Sequence, residues 1–330
     1  MDNVAHTLAG AALAQAGLKH KTGLGTAALV LAANLPDVDA LGLLFGENLA
    51  WRRGWTHGPL AMLVLPPLLV AALVLFDRWQ MRRGTRPADR ARLHPGWLVA
   101  LAYIGWLSHP LLDFMNTYGI RLLMPFSERW FYGDVLFIVD IWLWIALGLG
   151  VWLSRRRQRR AGAAPGRPAQ IGLAVVLVYM AAMGTSSVAA ERMAKRSAEA
   201  RGLGPVRTVV ASPVPVNPFR RRIVFATDSA YGFARLNWLA SPRLTLDPGL
   251  MPRNMDDPAV AEAHKVKAAR DFLYWSRLPF AQVERSAAGT RVTLSDARYA
   301  EGGAAGAFIE TIELPPALPA QQPHGAAHRP

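Results

Sequence analysis

The feature that most constrains this chain is the alternation, over its first 190 residues, of long apolar runs with short loops crowded with arginine. Residues 58–76, 97–112, 135–153 and 171–190 each approach the length an α-helix needs to cross about 30 Å of hydrocarbon. Two shorter runs, 7–18 and 24–35, suit a helical hairpin set partly into a bundle, with Lys19-His20-Lys21 as its turn. Beyond residue 190 the pattern gives way to mixed-polarity sequence rich in turn formers. The expectation is an all-α polytopic membrane helical bundle over 1–190, with about four clear spans plus the N-terminal hairpin. A small α+β extramembrane domain over 191–314 and a disordered tail over 315–330 would follow.

A net charge of +14 would point to nucleic acid if it were spread over a soluble surface. It is concentrated instead: of the 18 Lys and Arg in residues 1–190, six lie in 78–92 and six in 155–167, between apolar runs. Cationic residues in such loops resist translocation, so both loops read as cytoplasmic and the expected partner is membrane lipid, with no nucleic acid. The spans then run inward, outward, inward and outward. Asp37, His57, the 109–113 segment, Asp134 and the C-terminal domain all fall on the extracytoplasmic side of a bacterial inner membrane. The first residues lack the basic region of a cleavable signal peptide. With no cysteine, the chain has no disulfide, thiolate metal site or Cys nucleophile.

Most ionisable residues outside the arginine loops sit in five stretches around His6, Asp37, His57, His109 and the segment from Asp134 to Asp140. Imidazoles and carboxylates beside apolar helices are costly, which makes each a functional candidate. His109 and Asp113 are four apart and share one helical face, so they either bind metal or staple the helix with a hydrogen bond. Asp37 and Asp39 follow Pro36, which disfavours helix at Leu35 and places the pair on a loop at a helix end. Separated by one residue, they point in different directions, so that one can ligate while the other orients a histidine or a water. His57 precedes Gly58-Pro59, with Pro59 suited to the first turn of the next helix. His6 shares a face with Gly10 on a small-residue helix able to pack closely. Asp140, about a turn and a half inside the third run, is expected to pair with Arg121 or Arg129 or to act in catalysis. Arg121 and Arg129 could also clamp a substrate phosphate or carboxylate.

At these motifs the sequence resembles the YdjM-type family of bacterial inner-membrane proteins. The resemblance rests on His6-Thr7-Leu8-Ala9-Gly10, Leu35-Pro36-Asp37-Val38-Asp39, Arg53-Gly54-Trp55-Thr56-His57, His109-Pro110-Leu111-Leu112-Asp113 with Asn116-Thr117-Tyr118-Gly119, and the Asp134 to Asp140 stretch, in that order. It implies an integral membrane location and a metal-dependent hydrolytic activity. A weaker similarity is to zinc-dependent phospholipase C and related nucleases, whose order of ligands would fall on His6, Asp37, His57, His109 and Asp113. The later histidines of such trinuclear sites have no counterpart in residues 114–190, which favours one or two metals over three.

In the C-terminal part, 207–211, 221–227 and 231–238 have β-rich composition, 258–277 reads as an amphipathic helix, and 281–285, 291–295 and 307–314 suit further strands. The functional expectation is a membrane-bound hydrolase of an ester or phosphoester, its substrate a lipid, a lipid-linked compound or another small molecule. His6, Asp37, His57, His109 and Asp113 would hold one or two divalent ions, zinc or alternatively manganese, and Asp39 would serve as catalytic base or orienter. The competing expectation is a non-enzymatic transporter or assembly protein whose His/Asp cluster is structural or ion-conducting.

Overall fold

In the computed structural model, residues 1–45, 51–161, 163–300 and 308–316 are described. The N-terminal hairpin is formed by α1 (Asn3–Gln15) and α2 (Gly25–Asn34), joined through a 3-10 turn at Leu18–Lys21. Asp2 starts α1: its carboxylate accepts hydrogen bonds from the Val4 and Ala5 amides, two of the donors that a helix N-terminus leaves unpaired. The chain then turns through Leu35–Phe45 in 3-10 conformation, so Asp37 and Asp39 lie on a tight coil rather than an open loop. A short turn at Trp55–His57 leads into α3 (Pro59–Arg82), with Pro59 in the first turn as expected.

Three more helices follow, α4 (Pro95–Phe114), α5 (Ile141–Arg159) and α6 (Arg167–Ala200). All four long apolar runs are therefore largely helical. Among the described residues two helices, α3 and α6, are long and apolar enough to cross a membrane. The third run begins later than its hydropathy suggests. Residues 135–140 are not helical, and Asp140 is the N-cap of α5, accepting from the Trp142 and Leu143 amides. Its other carboxylate oxygen accepts from the Tyr179 hydroxyl at 3.0 Å. The pairing anticipated with Arg121 or Arg129 is thus replaced by a cap and a tyrosine, because the helix starts one residue after the carboxylate.

α2 lies between α1 and α4 at backbone contact. A Cβ placed on Gly10 would come within 2.8 Å of the Leu29 carbonyl oxygen, and one on Gly105 within 2.6 Å of the same oxygen. Small residues at both contacts let the three helices approach to a distance that no larger side chain permits. Ala28, Leu29, Ala32 and Ala33 of α2 are completely buried as a result.

The chain divides into two compact units, one of residues 1–228 with 232–249 and one of residues 229–231 with 250–330. The change of composition at residue 190 is therefore not where the packing breaks. At about 1.5 Å per residue the 34 residues of α6 extend about 50 Å, well beyond the thickness of a bilayer core. Its far end carries Ala190, Ala194 and Ala198 at four-residue spacing, packed against Ala211, Ile223, Phe225, Ala234 and Leu236. These belong to β1 (Thr208–Pro213), β2 (Arg220–Ala226) and β3 (Ala230–Asn237), which with β4 (Leu244–Leu246) form a sheet in the order β1-β2-β3-β4. β1 and β2 are antiparallel, from Thr208 opposite Ala226 to Pro213 opposite Arg221. Arg221 is 1% exposed and donates from Nη2 to the Met183 carbonyl of α6. Burial brings its guanidinium down to about 10, which leaves it charged at neutral pH.

In the second unit, β5 (Met251–Pro252) pairs with Ala230 and Tyr231, and β6 (Pro279–Ser286), β7 (Gly289–Asp296) and β8 (Ile309–Leu314) form an antiparallel meander. The helix expected over 258–277 is two helices, α7 (Pro258–Ala263) and α8 (Lys267–Trp275), broken at 264–266 where Val266 is extended. Phe272, Trp275, Phe280 and Leu294 are buried. Buried Asp296 accepts from the Ser276 hydroxyl at 2.7 Å and pairs with Arg298 at 2.9 Å. Burial pushes this carboxyl up, but the Arg298 guanidinium and the hydrogen bonds from Arg298 and Ser276 outweigh it and leave the group below its ordinary value of 3.8. Of the tail expected to be disordered, all but residues 315 and 316 lies outside the described residues.

Candidate metal centre

His6 and His109 are brought together by the close packing just described. His6 stands one turn before Gly10 on α1, and His109 one turn after Gly105 on α4, so both imidazoles project above the crossing with α2. Their rings stack with centroids 3.7 Å apart. His109 Nδ1 lies 2.7 Å from the Ala33 carbonyl oxygen. Only a protonated nitrogen satisfies that contact, which leaves Nε2 as the lone-pair atom facing the cluster.

The turn before α3 delivers His57, whose Nε2 is 3.0 Å from His109 Nε2. Burial lowers the His57 imidazole to about 4, so the ring is neutral near pH 7, the state in which imidazole ligates. His57 Nδ1 faces the Thr56 hydroxyl at 2.9 Å and Asp39 Oδ2 at 3.5 Å. Asp39 Oδ2 also accepts the Arg53 amide at 2.7 Å. Burial raises the Asp39 carboxyl, and the Arg53 amide bond works against that rise.

Asp113, one turn after His109, is completely buried and central. Its oxygens lie 3.4 Å from Nε2 of His6, His57 and His109, and the Met1 amine rests against it. Asp37 Oδ1 is 3.8 Å from His109 Nε2. Two groups of donors result, His6 with His109 and Asp113, and Asp37 with His57 and His109. Within each group the ligand atoms lie within 4.8 Å of one another.

All five residues read as metal ligands thus meet around one point, with His109 common to both groups. The donor chemistry fits a divalent cation. Both nitrogens of His6, Oδ2 of Asp37, Oδ1 of Asp39 and Oδ2 of Asp113 are buried without a hydrogen-bond partner, a costly state that a cation would relieve for the carboxylate oxygens and for the one His6 nitrogen that carries a lone pair. The 3.0 Å between the two histidine nitrogens is close to the edge, about 3.3 Å, of a tetrahedron built on zinc–nitrogen bonds of about 2.0–2.1 Å.

The guanidinium that reaches this cluster is Arg53. It is 4% exposed, lies 3.1 Å from Asp113 Oδ1, donates to Asn116 Oδ1 and the Gly119 carbonyl, and stacks over Tyr118. Sequence reasoning carried Arg53 only as part of a motif and looked for the anion clamp at Arg121 and Arg129. Arg121 is buried over Trp130 and donates to the Arg52 carbonyl at 2.9 Å, which steadies the backbone that presents Arg53. Arg129 is exposed and lies over Phe131.

A membrane protein with a buried histidine–carboxylate cluster able to hold a metal ion is the class that these features define. The chain belongs to the YdjM inner membrane protein family, whose model matches residues 1–191, the stretch that holds every member of the cluster. No curated protein and no solved structure matches it.

Proposed function

We propose that the chain is a membrane-bound, metal-dependent hydrolase of an ester or phosphoester. The observation that carries this reading is the convergence of three imidazoles and two carboxylates, with several buried lone pairs left unpaired. Hydrolysis fits such a centre because a bound divalent ion polarises an ester oxygen and lowers the pKa of its water to about 7. Zinc suits the donor set, with manganese the alternative; of the one or two ions proposed, only one would be ligated by His109, whose Nδ1 is turned to the Ala33 carbonyl and whose Nε2 carries a single lone pair.

The chain's own residues supply the rest. Ala33 fixes the His109 tautomer, and Asp39 turns His57 Nε2 toward the centre by holding its other nitrogen. Asp39 therefore acts as a positioning residue through His57. Arg53 offsets the carboxylate charge at Asp113 and keeps that side chain aimed inward. Arg129 is the exposed guanidinium suited to an anionic substrate. In this reading the protein crosses the membrane several times, the arginine-rich loops are cytoplasmic, and the site and C-terminal part face the other side, where a lipid or lipid-linked substrate has access.

The test is the metal content of the full chain purified in detergent, with turnover of a nitrophenyl phosphodiester in added zinc or manganese. Near-stoichiometric metal is expected. The double substitution His109→Ala with Asp113→Ala should remove metal and turnover while leaving the helical circular dichroism unchanged. Wild-type protein that binds neither metal would overturn the proposal and favour a structural or ion-conducting cluster in a non-enzymatic membrane protein.

A further inference from the structure

A large apolar groove lies apart from the metal centre. It has a volume of about 820 Å³ between α5 and α6 and is walled by Ile145, Val175 and Met183, with Trp142, Phe219 and Trp238 also lining it. Its volume falls in the range of about 300–1,000 Å³ typical of sites that enclose an organic ligand. Val175 and Ile145 continue into the exposed apolar faces of their helices, at Ile171 and Val178 on α6 and Leu149 on α5. The groove thus merges with the exposed apolar face of α6.

The aromatic part of the lining is built differently. Trp142 Nε1 donates to the Val216 carbonyl at 2.8 Å, Trp238 Nε1 donates to the Ser186 hydroxyl at 2.7 Å, and Tyr179 reaches Asp140. Aromatic rings with one apolar side and a hydrogen-bonded tip are characteristic of the boundary between acyl chains and headgroups. The loops that supply Pro218, Phe219 and Trp238 to this lining, 214–219 and 238–243, expose Val216, Phe219 and Leu239, the last at 74%. No acid occurs in residues 214–222 or 237–243, whereas Arg220, Arg222 and Arg243 do, and Arg243 stacks 5.9 Å from the Trp238 ring.

We propose that this groove seats an acyl chain of a bilayer phospholipid, with Val216, Phe219 and Leu239 dipping into the same leaflet and Arg220 and Arg243 meeting its phosphate. The site anchors the first sheet to the membrane surface, and it stands on observations independent of the hydrolytic reading. Apolar loop tips beside guanidinium groups match a phospholipid on both counts, chain and headgroup.

The full chain, reconstituted in vesicles of phosphatidylethanolamine and phosphatidylglycerol carrying a diazirine in one acyl chain, should be labelled on illumination at 175–186 and at Phe219 and Trp238. Ala182→Trp fills the groove from its exposed wall, and Phe219→Asp with Leu239→Asp puts charge on the loop tips; each should reduce groove labelling by about tenfold, as loss of a buried aromatic or aliphatic contact predicts. The loop variant alters only exposed or partly exposed surface and decides the matter if the filled groove fails to fold. Labelling spread evenly over α3 and α6, or unchanged in the loop variant, would overturn the proposal. So would equal groove labelling by a free diazirine fatty acid, which lacks the phosphate.

Discussion

Asp39→Asn separates the positioning role of that carboxylate from its structural one. The substitution keeps an oxygen able to accept the Arg53 amide, now 2.7 Å away, but removes the negative charge 3.5 Å from His57 Nδ1. Loss of a carboxylate behind a ligating histidine reduces metal affinity by about 10- to 100-fold, or about 1.4–2.7 kcal/mol. Asp39→Ala also leaves the buried Arg53 amide unpaired and should cost a further 1–3 kcal/mol or so of stability. Competition against a chelator of known zinc affinity gives the first quantity, and thermal unfolding in detergent gives the second. The reasoning fails if Asp39→Asn binds zinc within about twofold of wild type while Asp113→Asn abolishes binding, because His57 would then need no orienting partner.

Three further outcomes are expected. Gly105→Ala forces a Cβ to within 2.6 Å of the Leu29 carbonyl, and such overpacking should lower stability by about 1–3 kcal/mol and weaken metal binding with it, measured by thermal unfolding and the same competition. Arg53→Ala leaves Asp113 buried without its guanidinium, a loss of about 3–5 kcal/mol in the metal-free protein; added zinc should restore part of it, and equal losses with and without zinc would refute the charge argument. In the second unit, Asp296 is held below its ordinary 3.8, so its contribution is present above that value and disappears as pH falls through the folded value. Near-ultraviolet circular dichroism of Trp275 and its neighbours should therefore show an acid transition that Asp296→Asn shifts or flattens.

Much of the cluster was legible because membrane helices make ionisable residues conspicuous. His6, Asp37, His57, His109 and Asp113 fall in four of the five short stretches that hold most ionisable residues outside the basic loops, and the spacing of His109 and Asp113 alone places them on one face. Arg53 was harder to read. Beside Arg52 it looks like one more interfacial cation, and nothing local says that a turn steadied by Arg121 will send it 60 residues along the chain to Asp113. Asp140 misled for a related reason, since hydropathy counts residues 135–140 into the helix whereas the carboxylate caps its start. In the C-terminal part the strands followed β-rich composition, whereas the break between α7 and α8, where Val266 is extended, interrupts the single helix expected there. The apolar loop tips at Val216, Phe219 and Leu239 carry no distinguishing signal in the sequence, because the Pro and Asn around them mark turns whatever the turn touches.

The pair of glycines on either side of α2 sets a limit on what the centre can accept. A single carbonyl, that of Leu29, is the spacer for both flanking helices, and the Ala33 carbonyl one turn on fixes the third coordinate by holding His109. The separation of the two stacked imidazoles is consequently a main-chain dimension, not a side-chain choice. With no slack to widen the ring of donors, the pocket should discriminate by ionic radius, admitting small divalent ions and turning away one the size of calcium.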